Sequence, residues 1–241
     1  MSQVPRERAN TVDSAADAEG SEVELDAGTG AFARVSAQES LTQAYWGIDL
    51  LANLPCQLTS DGVTAVQGDA LRAGEFLRRE FPLLTEEGLG GVSSQQARRT
   101  KHHYLLANCD LFEIRHHGQT VGVVVGEPKD WSTYYIRMFA IVQAYQRPAL
   151  IRRFSRTCIV DPLTRHGVQR ITADTSPANL AMSRFLTEFR FYVTGQQLTD
   201  RWGPAVQYTK FLDPACEAAF HARFGGAAPP GSNGIRKDRE Q

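Results

Sequence analysis

Apolar residues in the middle of the chain occur in short runs broken by polar residues, which is typical of strands in a sheet. The runs LFEIRHHG and QTVGVVVGE, at 111–127, predict a hairpin that turns at His117 and Gly118. TYYIRMFAIV at 133–142 predicts a central strand, and VQRITADTS at 168–176 predicts the next strand. The runs FYVTGQQL and AVQYTKFL predict a last hairpin around the turn RWGP.

Other stretches carry apolar residues at helical spacing and predict helices. They cover residues 38–54, 70–84, 93–109, 148–167 and 177–191, with a short strand at 62–67 before the second of them.

Prolines and a glycine predict where these helices end. Pro82 is expected to end the helix that begins at residue 70. Pro162 lies inside the helix predicted over 148–167 and is expected to kink or end it near Asp161, with Gly167 as the final stop.

Both ends of the chain have compositions that predict disorder. Residues 1–36 are rich in Ala, Ser, Glu and Asp and contain no aromatic residue before Phe32. The tail from Gly225 is rich in Gly, Pro and charged residues. We therefore predict a disordered segment at 1–36, one folded domain at 37–213, and a short helix with a disordered tail at 214–241.

Composition narrows the possible functions. The chain has 241 residues, 42% of them hydrophobic and 22% charged, which suffices for one substantial core. A formal net charge of -1 argues against a nucleic-acid binder. The sequence shows no apolar run of about 20 residues and no signal-peptide pattern, so we expect a cytoplasmic protein without membrane contact.

Cysteine and histidine spacing gives no metal site. The four cysteines, at positions 56, 109, 158 and 216, form no Cys-x-x-Cys pair, and they are expected to be reduced thiols. His116 and His117 are adjacent on a predicted strand, so their side chains are expected to point to opposite faces. No metal is predicted.

The order of the predicted elements between 131 and 212 is strand, helix, strand, a helix opened by Asn179, and strand. This order resembles the GNAT superfamily of N-acyltransferases, and the resemblance covers about 63–212. It implies a single α/β domain with a mixed, twisted sheet flanked by helices. It also implies an acyl-CoA co-substrate, acetyl-CoA or a longer one, bound in the splay after the central strand.

The motif that holds the CoA pyrophosphate in GNAT proteins is altered in this chain. The family turn, Gln/Arg-x-x-Gly-x-Gly/Ala, presents backbone N–H groups at a helix N-terminus. The segment from Gln146 to Ile151 keeps the Gln and lacks both glycines. Arg147 and Arg152 are expected either to replace the lost contacts or to lie on a solvated helix face. The resemblance implies these cofactor-binding residues: Phe139, Ile141, Gln146, Arg147, Ala149, Leu150, Ile151, Arg152 and Asn179.

Asn179 has two readings that the sequence leaves open. Its position implies that it lies near the pantetheine arm in a GNAT fold. Asn is also a preferred helix N-cap on any fold. The Tyr that often follows two turns later and protonates the leaving thiolate is Leu186 here.

The sequence does not identify the catalytic group. Three residues are candidates for it: Tyr135, Arg137 and Glu127. Strand alternation predicts that Tyr135, Arg137, Phe139 and Ile141 share one face. Arg137 on that face favours an acceptor with a carboxylate or phosphate. Glu127 is predicted to lie in the hairpin loop GEPKDWS, from which it could act only if the loop folded over the cleft.

Two functions are consistent with these observations. The first is an N-acyltransferase that moves an acyl group from acyl-CoA, or from the phosphopantetheine of an acyl carrier protein, to a small-molecule amine. A carrier-bound donor lacks the adenosine diphosphate that the missing glycines would hold. The second is a non-catalytic GNAT-like binding or regulatory module, because the chain lacks both the glycine turn and the Tyr.

Overall fold

A single mixed sheet organises the computed structural model, which describes residues 41–82, 106, 108–199 and 203–224. Its strands are β1 (Cys56–Gln57), β2 (Val63–Gln67), β3 (Asp110–His116), β4 (Gln119–Pro128), β5 (Thr133–Ile141), β6 (Arg170–Thr175), β7 (Tyr192–Thr199) and β8 (Gly203–Phe211). The strand order is β1-β2-β3-β4-β5-β6-β8-β7. Only β5 and β6 pair in parallel; the other neighbours are antiparallel. The predicted mixed sheet is confirmed.

Helices cover both faces of this sheet. They are α1 (Leu41–Trp46), α2 (Ala70–Glu80), α3 (Pro148–Phe154), α4 (Asp161–Arg165), α5 (Leu180–Glu188) and α6 (Pro214–Phe224). Helices α3, α4 and α5 pack on one face, called the first face, around Phe112, Val124 and Ile171. Helix α2 packs on the opposite, second face against Val123 and Val125.

Several predicted helices differ from the observed ones. The helix predicted over 38–54 is confined to α1, because the chain leaves the helix at Gly47 with φ +70°. Helix α2 ends before Pro82, as predicted. The helix predicted over 93–109 lies outside the described residues except at positions 106, 108 and 109. The predicted disordered segments, 1–36 and the tail from 225, also lie outside them.

Pro162 does not end its helix, which excludes one of the two predicted outcomes, a kink or an end near Asp161. Between α3 and α4 the chain winds as a π-helix over Ser155–Val160, and the Asp161 N–H donates to the carbonyl of Arg156, five residues earlier. This wider winding accommodates the proline, because it moves the ring away from the carbonyl that it would meet in an α-helix. The helix then stops at Gly167, which has φ +75°.

A β-bulge interrupts the central strand. Val125 of β4 lies opposite Met138 of β5, but the next residue, Gly126, lies opposite Ile136. Arg137 is therefore an extra residue on β5. The bulge reverses the alternation of side chains along the rest of this strand.

The described residues contain neither a membrane-spanning helix nor a cluster of metal ligands. None of the helices in 41–82, 108–199 and 203–224 is long and apolar enough to cross a membrane. Within the same ranges, His, Cys, Asp and Glu form no group of three that could hold a metal ion.

Candidate functional site

A cleft opens where β5 and β6 separate. The strands pair from Thr133 opposite Arg170 to Ile136 opposite Ala173, and then diverge. The resulting cavity has a volume of about 600 Å³. Its walls come from both faces of the sheet, with Phe139, Met182 and Phe185 on the first face and Tyr135 and Asp174 on the second. The predicted splay after the central strand is therefore present.

A second, outer groove adjoins this cleft on the first face. It has a volume of about 1030 Å³ and shares Phe139, Asn179, Met182 and Phe185 with the cleft. Its outer end is lined by residues from the start of α3, namely Gln146, Pro148, Ile151 and Arg152. Cleft and groove together give a path from the surface of α3 to the centre of the sheet.

The start of α3 has backbone donors without an acceptor inside the helix. Pro148 occupies the first turn, and the first helical bond runs from the Ile151 N–H to the carbonyl of Arg147 at 3.1 Å. The N–H groups of Ala149 and Leu150 precede that bond, so they have no acceptor within the helix. The Leu150 side chain is buried in the core, so only its backbone can meet a ligand.

Gln146 has a structural role in this turn. Its Nε2 donates to the carbonyl of Ile141 at 2.8 Å and fixes the chain between the end of β5 and α3. The Ile151 side chain lines the outer groove and also packs against the core.

Asn179 caps α5 and lines both cavities. Its Oδ1 accepts a hydrogen bond from the Met182 N–H at 3.1 Å, which is the geometry of an N-cap. The capping role is confirmed. The position between cleft and groove keeps a ligand-binding role available.

Comparison with known proteins identifies the fold. No protein family and no curated protein matches the sequence. A probable acetyltransferase of the GNAT family from Chromobacterium violaceum superposes with a TM-score of 0.50 at 15% identity, over 66% of this chain and 92% of that chain. The chain has the GNAT fold.

Two further solved structures are similar at lower TM-scores. An acetyl transferase from Salmonella typhimurium that modifies the N-terminal serine of ribosomal protein L7/L12 gives a TM-score of 0.49 at 14% identity, over 65% of this chain and 98% of that chain. A putative acetyltransferase from Salmonella typhimurium, whose structure was determined with its cofactor acetyl-CoA, gives a TM-score of 0.46 at 17% identity. The match covers 64% of this chain and 95% of that chain.

The arginines near the GNAT pyrophosphate turn do not act together. Arg152 lines the outer groove and pairs with Glu188 of α5 at 2.5 Å. Arg147 instead pairs with Asp61 of the β1–β2 loop at 3.3 Å and lies over the ring of Tyr145. The structure therefore directs Arg152 toward the groove and Arg147 away from it.

The predicted alternation of side chains along β5 is wrong beyond the middle of the strand. Because Arg137 is the extra residue of the bulge, Phe139 and Ile141 return to the first face and pack in the core there. Tyr135 and Arg137 lie on the second face. The four residues predicted to share one face are therefore divided between the first face and the second face of the sheet.

Glu127 and Arg137 neutralise each other. Glu127 lies in β4, not in the loop as predicted, and its carboxylate accepts a hydrogen bond from the Arg137 guanidinium. Burial acts against this charge on Arg137, but the hydrogen bond and charge of Glu127 hold the pKa of Arg137 above its usual range. Burial, followed by the charge of Glu127, raises the pKa of the neighbouring Cys109 to about 12. Neither Glu127 nor Arg137 is a free group for the acceptor.

Asp174 is the functional candidate that the sequence reasoning missed. Its Oδ2 accepts hydrogen bonds from the Tyr135 hydroxyl at 3.2 Å and from Gln197 Nε2 at 3.0 Å. Its Oδ1 is buried and has no hydrogen-bond partner among the described residues. Asp174 lines the cleft, so this unpartnered oxygen is a group available to a ligand.

Tyr135 holds Asp174 and cannot serve as a base. Burial first, and then the charge of Asp174, raise the pKa of Tyr135 to about 12, so its hydroxyl remains a donor at neutral pH. The sequence signal for this site was the alternation of Arg170, Thr172 and Asp174 along β6. These polar residues share the second face, while Ile171 and Ala173 between them fill the core.

Proposed function

We propose that the protein is an N-acyltransferase that moves an acyl group from acyl-CoA, acetyl-CoA or a longer one, to a small-molecule amine. The observation that carries this proposal is the cleft between β5 and β6, which has walls on both faces of the sheet. The two faces let a thioester donor and an amine acceptor approach the same point from opposite sides. Holding them there supplies much of the acceleration of acyl transfer.

The donor would lie on the first face, and the residues present fit it. Phe139, Met182 and Phe185 form an apolar wall for the pantetheine arm. In this proposal the pyrophosphate would accept hydrogen bonds from the N–H groups of Ala149 and Leu150 and from the guanidinium of Arg152, of which only Arg152 lines the outer groove. Asn179 stands between these two regions. Arg147 is not among the proposed pyrophosphate ligands, because it forms an ion pair with Asp61.

The acceptor would lie on the second face against Asp174. The amine nitrogen attacks the thioester carbonyl, so that a C–N bond forms and the C–S bond breaks. The excess proton of the nitrogen passes to the unpartnered Oδ1 of Asp174, and the thiolate takes a proton from solvent. Tyr135 and Gln197 donate to the Oδ2 of the same carboxylate, which leaves Oδ1 as the oxygen without a partner among the described residues.

A thioester carried by an acyl carrier protein is an alternative donor for the same site. The turn lacks the family glycines, and Ile151 lines the groove where a pyrophosphate would approach. A phosphopantetheine arm has no adenosine diphosphate, so it places no pyrophosphate beside Ile151. The two donors share the pantetheine wall and differ only at the outer groove.

The competing function is a non-catalytic module. Leu186 is buried in the core at the position of the missing Tyr, which favours this alternative. A module with a closed cleft would gain no stability from a thioester ligand. A thermal-shift screen with acetyl-CoA, longer acyl-CoAs and free CoA separates the two, because a ligand at 100 times its Kd adds about 2.7 kcal/mol to the unfolding free energy.

Turnover tests the assignment of Asp174. We expect Asp174→Asn to lower the rate of CoA release with amine acceptors by about 10²- to 10⁴-fold while donor affinity is kept. The matched variant Tyr135→Phe removes only the positioning hydrogen bond, so its loss should be about tenfold. A wild-type rate in Asp174→Asn would remove the carboxylate from the reaction. No stabilisation by any acyl-CoA would instead favour the module.

A further inference from the structure

A separate cavity lies on the second face under α6. It has a volume of about 610 Å³ and is bounded by strands β5 to β8 and by the side of α6 that carries Phe220 and Arg223. It shares no lining residue with the cleft between β5 and β6. The two cavities are neighbours on one sheet face, since Thr172 of this cavity lies opposite Tyr135 of the cleft.

Two buried polar groups face this cavity without a partner. Thr172 is 5% exposed, and its Oγ1 makes no hydrogen bond with any described residue. Arg170 Nε is likewise buried and unpartnered within the described part of the chain. The other contact of this guanidinium, from Nη2 to Ser132 Oγ, is long at 3.5 Å. Buried polar groups without a partner are rare in folded proteins, so a ligand that accepts from both groups would satisfy them.

The charge around these groups is positive. Lys129, Arg170 and Arg223 line the cavity against one carboxylate, that of Asp130. The Asp130 Oδ1 already accepts hydrogen bonds from the Ser132 N–H at 2.8 Å and from Ser132 Oγ at 3.1 Å. One anionic group therefore faces three cations, and it is engaged by its own loop.

Two of the cations are placed by aromatic rings, which leaves their N–H groups free to donate. Lys129 Nζ lies 5.5 Å from the ring centroid of Tyr135, and the Arg223 guanidinium lies 5.6 Å from that of Phe224. The hydroxyls of Thr194 and Thr209, which also line the cavity, are hydrogen-bonded to each other at 2.7 Å.

We propose that this cavity binds an oxyanion of the phosphate class, held by Arg170 and Thr172 at its floor and by Lys129 and Arg223 at its rim. A tetrahedral oxyanion accepts from both unpartnered donors at once and offsets the excess positive charge. The proposal does not depend on the acyl-transfer function, because none of the four residues that would donate to the oxyanion lines the cleft.

The test is a titration of the full chain with inorganic phosphate, followed by the ¹H–¹⁵N signal of the Arg170 Nε–H group. We expect this signal to move and saturate, whereas chloride at the same ionic strength should leave it in place. A parallel titration with glycerol 3-phosphate separates two sources of the ligand. Tighter binding than inorganic phosphate indicates a phosphate carried by a larger molecule, and equal binding indicates the free ion.

Variants tie the binding to these side chains. Arg170→Gln should weaken phosphate binding by about tenfold or more, and Thr172→Val by about two- to tenfold. The control Arg165→Gln removes an equal charge from α4 on the first face and should leave the affinity unchanged. The proposal is overturned if the Arg170 signal does not respond to phosphate, or if both variants bind phosphate as the wild type does. If Arg170→Gln does not fold, the wild-type titration and Thr172→Val still decide.

Discussion

The side chain of Arg152 gives the sharpest prediction about the donor groove. Arg152 and Glu188 are both about half exposed and form an ion pair across the groove between α3 and α5. A CoA pyrophosphate would have to draw Arg152 away from this pair. Arg147, five positions earlier in the same segment, offers a matched control because it pairs with Asp61 and does not line the groove.

The expected magnitude follows from these two interactions. A hydrogen bond to a charged group contributes about 1.5 to 3 kcal/mol. Breaking an exposed ion pair costs about 0 to 1 kcal/mol. The net contribution of Arg152 to CoA binding is therefore about 0.5 to 3 kcal/mol, and Arg152→Gln should raise the Kd by about 2- to 150-fold.

Isothermal titration of three variants with CoA tests this reasoning. Arg147→Gln should bind CoA as the wild type does. Glu188→Gln should bind up to about fivefold more tightly, because it releases Arg152 and removes a negative charge from the groove. If Arg152→Gln and Arg147→Gln bind CoA equally, the direction of these side chains is irrelevant and the placement of the pyrophosphate at α3 is wrong.

Two further predictions concern titratable groups away from the cleft. Burial lowers the pKa of Lys210 from 10.5 to about 8, so the unfolded chain binds more protons than the folded one between these values. The unfolding free energy of the wild type should therefore rise relative to that of Lys210→Met as pH increases through this window. Urea unfolding of both proteins across the window measures this difference. A difference that does not change with pH would contradict the prediction. Burial also raises the pKa of Cys109 and of Cys158 to about 12. Iodoacetamide at pH 8 should therefore label the half-buried Cys56 well before Cys109 or Cys158, which peptide mass spectrometry measures. Equal labelling rates at the three cysteines would refute this prediction.

The order of the elements along the chain could be predicted because alternation and turn residues are local signals, whereas the cleft followed from the resemblance to the GNAT superfamily. The hairpin at His117 and Gly118 and the cap at Asn179 depend on residues close in sequence. The bulge at Arg137 has no such signal on β5 itself, since neither a glycine nor a proline marks it on that strand. Counting positions along β5 therefore placed Phe139 on the wrong face.

Side-chain direction depended on residues distant in sequence. Arg147 turns away from the groove because Asp61, 86 positions earlier, lies beside it. Asp174 could not be recognised from the central strand alone, because the cleft is lined by β6 as well as β5. The continuation of the helix through Pro162 could not be predicted either, because no sequence motif marks the π-helical winding that precedes it.

Hydrogen exchange of the protein with and without acetyl-CoA tests the central claim most directly, since it reports both binding and its location. The amides of β5 beyond the bulge have no partner on β6, so a ligand that fills the splay should slow their exchange. We predict slower exchange in residues 138–152 and 179–189 on adding acetyl-CoA, and unchanged exchange in 56–67. Unchanged exchange in both predicted segments, or protection confined to the far edge of the sheet, would contradict the account.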